Sequence, residues 1–88
     1  MRRGGAPQSG ILELDVHGMT RAQAKAYITA GVRSAGREVY RVRVIHGYRG
    51  GNVLRELVRN ELSRLPRVLR AEVGLNQGET DLVLRELY

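Results

Sequence analysis

The sequence predicts an α/β chain folded as two layers, a four-stranded mixed sheet with two helices on one face. Three observations carry this reading. Two segments alternate apolar and polar residues with the period of a strand, and each runs into a His-Gly pair. Each is followed by a stretch whose apolar residues recur at helical spacing. Two further strand-like segments then flank an Asn-Gln-Gly turn. The predicted order is β-α-β-α-β-β.

Residues 1–10 (MRRGGAPQSG) lack periodicity and read as a flexible tail, so the domain is placed at 11–88. In residues 11–16 (ILELDV), Leu12, Leu14 and Val16 share one face, and Ile11, Glu13 and Asp15 the other. His17-Gly18-Met19 turns the chain. Thr20 and Gln23 have the spacing of a capping box, which starts a helix. Its apolar stripe is Ala24, Tyr27, Ile28, Gly31, Val32 and Ala35, with Gly31 allowing close approach to a sheet. Gly36 stops it.

Residues 39–45 (VYRVRVI) alternate again, with Tyr40, Val42 and Val44 opposite Arg41 and Arg43. A glycine-rich loop, His46 to Gly51, leads to a helix from about Asn52 to Ser63, striped by Leu54, Leu57, Val58 and Leu62 and ended by Pro66. Residues 68–74 predict a third strand with Leu69, Ala71 and Val73 inward. Residues 80–87 predict a fourth, the most apolar of the set.

Helical connections make the first three strands parallel, and right-handed crossovers step them in one direction. The fourth follows a short turn and is antiparallel. Its apolar character argues against an exposed edge, which inserts it between the second and third strands and gives the order 1-2-4-3. The open sheet face would then carry Arg41, Arg43, Arg70 and Arg85 beside Glu13, Asp15 and Glu72. His17, the 46–51 loop and the 74–80 turn would meet at one end, where open α/β sheets bind ligands.

Composition narrows the function. Lys+Arg is 15 against 9 Asp+Glu, a net charge of +6, and the sole lysine is Lys25. This is the footprint of a polyanion binder, and arginine suits phosphate through its planar fork. There is no Cys, which excludes disulfides, thiol nucleophiles and Cys-based zinc sites. No apolar run is long enough to span a membrane and no signal-peptide pattern opens the chain, so a cytoplasmic location is expected.

Three constellations could carry chemistry. Asp15 and His17 share a face, so the carboxylate can fix the imidazole's tautomer for acid–base work, or simply bind the turn. In His46-Gly47-Tyr48-Arg49-Gly50-Gly51-Asn52, glycines let amides approach a phosphate at a helix start, and Arg49 adds a fork; a plain connecting loop is the alternative. In the 76–81 turn, Glu79 or Asp81 could join Asp15 around a divalent cation, Mg²⁺ or Mn²⁺, or the segment could be an ordinary hairpin. Scarce aromatics argue against base stacking as the main grip, with Tyr48 the candidate for one stack.

Leu14-Asp15-Val16-His17-Gly18 resembles the LDxHG motif that opens the Smr (small MutS-related) domain. Val44-Ile45-His46-Gly47, with its glycines and Leu-rich helix, resembles that family's HGxGxG motif, and Thr80–Leu87 its last strand. The resemblance covers residues 11–87 and suits a small standalone member with a short N-terminal arm. It implies a fold similar to the C-terminal domain of translation initiation factor three. It also implies DNA or RNA binding, cleavage in several members, and ribosome association in some. Carried over, Asp15 and His17 become the catalytic or metal-proximal pair. His46, Gly47, Gly50 and Gly51 form the phosphate loop. One position departs from the pattern: Arg49 stands where the motif has its middle glycine.

The readings are therefore an endonuclease using Asp15, His17 and His46, and a non-catalytic module gripping phosphate through residues 47–52, Arg41 and Arg43. A protein–protein module with incidental charge is the third.

Overall fold

A computed structural model of the chain describes residues 10–48, 51–74 and 76–87. The elements are β1 (Ile11–Asp15), α1 (Arg21–Ser34), β2 (Arg41–Ile45), α2 (Val53–Glu56), β3 (Arg70–Val73) and β4 (Glu79–Val83). The sheet order is β1-β2-β4-β3, with β1 and β2 parallel and β4 antiparallel to both its neighbours. The expected insertion of the fourth strand is thus met. Its register explains the apolar sequence, because Leu82 lies opposite both Val42 and Ala71.

The core lies between the sheet and the helices. Leu12, Leu14, Val42, Val44 and Leu82 supply the sheet side; Ala24, Ile28, Val32, Leu57, Val58 and Leu62 supply the helix side. All are aliphatic, so packing rests on complementary shape among branched side chains. Gly31 shows how tight it is. A Cβ there would stand 2.7 Å from Leu14 Cδ1, and Leu14 is fully buried. Gly31→Val should cost roughly 1–3 kcal/mol, the range for overpacking a filled core, as chemical denaturation would show.

α1 begins as expected. The Thr20 hydroxyl accepts from the Gln23 amide at 3.1 Å, and the Gln23 side chain accepts from the Thr20 amide at 3.0 Å. Its other end is closed by a long-range contact. Arg67 Nη1 donates to the carbonyls of Val32 and Ala35, each at 2.8 Å. The Ala35 carbonyl is one of those a helix end leaves without an internal partner, and the Val32 carbonyl otherwise receives only the long 3.4 Å bond from the Ala35 amide.

The second helix departs from a regular α-helix. α2 runs directly into a π-type turn at Leu57–Glu61 and a 3-10 turn at Leu62–Arg64. The Leu62 amide reaches back five residues to the Leu57 carbonyl. The widened turn keeps Leu57, Val58 and Leu62 in the core and places Arg59 toward the sheet.

The third and fourth strands are shorter than expected. Leu69 and Val73, expected inward, are 57% and 70% exposed, because β3 is the edge strand and the helices cover only its middle at Ala71. Arg85, expected on the open face, lies beyond it. Both the Leu84 and Arg85 amides point to the Tyr40 carbonyl, so strand alternation stops at Val83. Among the described residues no helix is long and apolar enough to cross a membrane.

Candidate functional site

The ends of β1 and β2 and the β3–β4 turn converge. The Val16 amide donates to the Ile45 carbonyl at 2.9 Å, extending the ladder one step beyond β1. The amides of His46 and Gly47 both donate to the Gly78 carbonyl, at 2.9 and 3.0 Å. This ties the glycine loop to the turn. Gly47 has φ +75° and rests against His17, whose Cβ would lie 3.4 Å from any Cβ placed there. A side chain at position 47 would meet both a strained backbone and the imidazole's base.

Here Asp15 and His17 meet. Asp15 Oδ1 lies 2.5 Å from His17 Nδ1 and also accepts the His17 amide at 3.1 Å. The two-point contact fixes the ring's rotation. In the neutral imidazole it holds the proton on Nδ1 and leaves Nε2 as the base. Both side chains are more than half exposed, at 69% and 51%, so the ring can meet a ligand without rearrangement.

His17 stands at the rim of a cleft of about 700 Å³. Its walls are Gly18, Met19, Thr20 and Arg21 on one side, and Ile45, His46, Gly47, Tyr48, Gly51, Val53 and Leu54 on the other. Tyr48 is 63% exposed at the edge. Gly51 has φ +90°, and Asn52 precedes α2 without a side-chain cap bond. Arg49 and Gly50 lie outside the described residues.

His46 is differently placed from His17. It is 5% exposed. Its Nδ1 lies 2.8 Å from the Gly47 carbonyl, which can only accept, so Nδ1 carries the proton. Its Nε2 lies 2.8 Å from Thr80 Oγ1 and so accepts the hydroxyl proton. That hydroxyl oxygen in turn accepts from Arg59 Nε at 3.0 Å. Both ring nitrogens are committed, and the side chain braces the loop. Burial first, then the positive charges of Arg59 and Arg55, hold its pKa below the ordinary histidine value, against an opposing pull from the Gly47 carbonyl and Glu79. The folded state thus binds fewer protons than the unfolded chain. This contribution to stability is complete above about pH 6.5 and fades as pH falls toward the lower folded value. Urea midpoints measured from pH 7.5 to 5 should therefore decline in the wild type, and less steeply in His46→Gln.

The open sheet face is an ion-pair network. Asp81, 2% exposed, accepts from Arg41 Nη1 at 2.9 Å and from Arg43 Nε and Nη2 at 3.0 and 3.1 Å. Glu72 lies 3.0 Å from Arg41, and Glu79 lies 3.9 Å from Arg43. Arg41 and Arg43, expected to hold nucleic acid, have their charge answered within the protein. Hydrogen bonds and charge from Asp81, with Glu72 for Arg41 and Glu79 for Arg43, raise both pKa values above the ordinary value despite partial burial.

The same network bears on the expected metal. Asp15 and Glu79 share a row across β2, but Asp81 lies two residues along β4, between two guanidinium groups. Among the described residues no three His, Asp or Glu side chains gather as an ion would need. The donor set Asp15, Glu79 and Asp81 does not fit Mg²⁺ or Mn²⁺.

Sequence reasoning missed Thr80 and Arg59. The signal for Thr80 was available, since the 1-2-4-3 order sets it beside Val44 and near His46. Nothing in the sequence announces the π-type turn that delivers Arg59.

The sequence model of the Smr domain matches residues 14–81, which includes both His-Gly motifs and most of β4. The Smr domain of Thermus thermophilus MutS2 is similar in structure, with a TM-score of 0.75 and 28% identity over 84% of this chain and 98% of that one. Comparison with curated protein sequences finds no match. With the motifs, the sheet order and the family match in agreement, the chain belongs to the Smr domain family.

Proposed function

We propose that this domain grips a nucleic-acid backbone in the cleft beside His17 and cleaves a phosphodiester bond there. The observation that carries the reading is the Asp15–His17 pair, an exposed imidazole held by a carboxylate at the mouth of a glycine-lined cleft. His17 Nε2 takes the proton from the attacking hydroxyl, either water or the ribose 2′-hydroxyl of RNA. The new bond to phosphorus forms as the bond to the leaving oxygen breaks, and that oxygen is protonated by solvent. Asp15 holds the ring and stabilises the imidazolium that forms. Gly47, Gly51, Asn52, Arg49 and Gly50 supply the approach for the phosphate. Tyr48, at the rim, offers a face for one base. His46 acts as a positioning residue for the loop.

A second reading, a binding module for nucleic acid or a ribosome, is favoured by one observation. His46 has both nitrogens committed, so His17 has no free imidazole partner for the opposite proton transfer. The deciding experiment incubates end-labelled single- and double-stranded DNA and RNA with the protein, with Mg²⁺, Mn²⁺ or EDTA. Discrete products that vanish with Asp15→Ala/His17→Ala support cleavage. Retention of the labelled strand without products, in both proteins, supports the binding module.

A further inference from the structure

The protein's charge raises a question that the cleft does not answer. Arg41, Arg43 and Arg70 are paired with Asp81, Glu72, Glu79 and Glu86, and Arg21 and Lys25 are paired with Glu61. The excess positive charge must therefore be exposed elsewhere. Part of it gathers at the end of the sheet away from His17. Arg33 closes α1, Arg37 follows it, Arg67 precedes β3 and Arg85 follows β4. Among the described residues none of these four is ion-paired to a carboxylate. Glu38 is the acid of the 32–40 segment.

The arrangement is built rather than scattered. Arg67 and Arg85 are held by backbone carbonyls, which fix a guanidinium without neutralising it. Arg67 uses Nη1 on Val32 and Ala35, leaving Nε and Nη2. Arg85 uses Nε on the Arg37 carbonyl at 3.1 Å, leaving both terminal nitrogens as a fork. A hollow of about 400 Å³ lies between Arg37, Arg67 and Arg85, floored by Val39 and Leu84. Oriented, charged forks around an open hollow suit phosphate oxygens, because their ordering entropy is already spent in the fold.

We propose that Arg37, Arg67 and Arg85, with Arg33 beside them, form a second phosphodiester-binding patch, opposite the His17 cleft. It rests on the reading that the domain binds nucleic acid, and gives that ligand a second point of attachment. The molecule is 35 Å in its longest dimension. A duplex of about 24 base pairs, roughly 80 Å long at 3.4 Å per step, is long enough to touch both ends.

The test measures binding of such a duplex, as DNA and as RNA, by fluorescence anisotropy between 50 and 200 mM salt. The proteins are the wild type, Arg37→Gln/Arg85→Gln, and Arg70→Gln as a control that removes a paired charge. Removing one phosphate interaction with duplex DNA makes the log–log salt slope shallower by about 0.9. The double variant should bind roughly 10-fold more weakly at low salt, with a slope shallower by nearly two, while Arg70→Gln keeps the wild-type slope. Thermal melting checks the fold. If the double variant melts early, Arg37→Glu alone, at an exposed side chain, should give the same direction of change. A double variant that matches the wild type overturns the patch and leaves the cleft reading standing. Equal weakening in Arg70→Gln assigns the effect to net charge and also overturns it. A wild type that binds neither duplex overturns the patch, and the cleft reading is then decided by the single strands of the cleavage assay.

Discussion

Replacing His17 with alanine should lower the rate of phosphodiester cleavage by about 100- to 10,000-fold, the range for removing a positioned general base. Affinity for the uncut strand should stay within a few-fold of wild type. The asymmetry follows from the geometry. The ring is exposed, bonds Asp15 through Nδ1, and contributes nothing to the core. Its removal takes away Nε2 and leaves the cleft walls in place. Single-turnover rates beside equilibrium binding would separate the two effects. Asp15→Asn should act through the same atom, by allowing the other tautomer, and should retain more activity than His17→Ala. A His17→Ala protein that cleaves at the wild-type rate would remove His17 from the chemistry.

The largest effect on stability is expected at Asp81. Asp81→Ala should cost about 3 kcal/mol, the low end for breaking a buried ion pair, because Arg41 keeps Glu72 at 3.0 Å while Arg43 keeps only Glu79 at 3.9 Å. Two guanidinium groups, Arg41 and Arg43, depend on this carboxylate, and both are largely covered by the fold. A domain of this size has only about 5–10 kcal/mol in total, so the variant should melt far below the wild type. Asp81→Asn keeps the shape and tests the charge alone. Restoring most of the stability with Arg43→Leu in the Asp81→Ala background would show that the cost is the stranded cation. A cost of no more than about 0.5 kcal/mol in Asp81→Ala would mean that solvent already screens the network.

These two residues mark how much is legible in the sequence. Order, sheet topology and the Asp15–His17 pair follow from periodicity and spacing, because a strand of known face places residues i and i+2 together. The capping box of α1 is legible for the same reason. Asp81 is not. Its place after a polar turn suggests a ligand at the site, although the order 1-2-4-3 sets it opposite Arg43 in the neighbouring strand. Composition says which charges are present, but cross-strand neighbours decide which of them cancel. His46 misleads for a related cause. A histidine after a strand looks the same whether its ring faces solvent or Thr80, and only the turn of β4 against the glycine loop settles which. The exposure of Leu69 and Val73 depends on how far the helices reach across β3, a length that composition does not encode.

The placement of β4 also shapes how the domain is made. Among the described residues β3 pairs with β4 alone, and β4 follows the other three strands in sequence. During synthesis, β1, α1 and β2 can assemble as a parallel unit, but residues 66–74 have nothing to pair with until 79–83 have left the ribosome. Until then β2 keeps an open edge bearing Val42 and Val44, the kind of unpaired strand that recruits other chains. Completion of the sheet is therefore a single late event, and a ribosome stalled before residue 84 would hold a half-sheet exposed to aggregation.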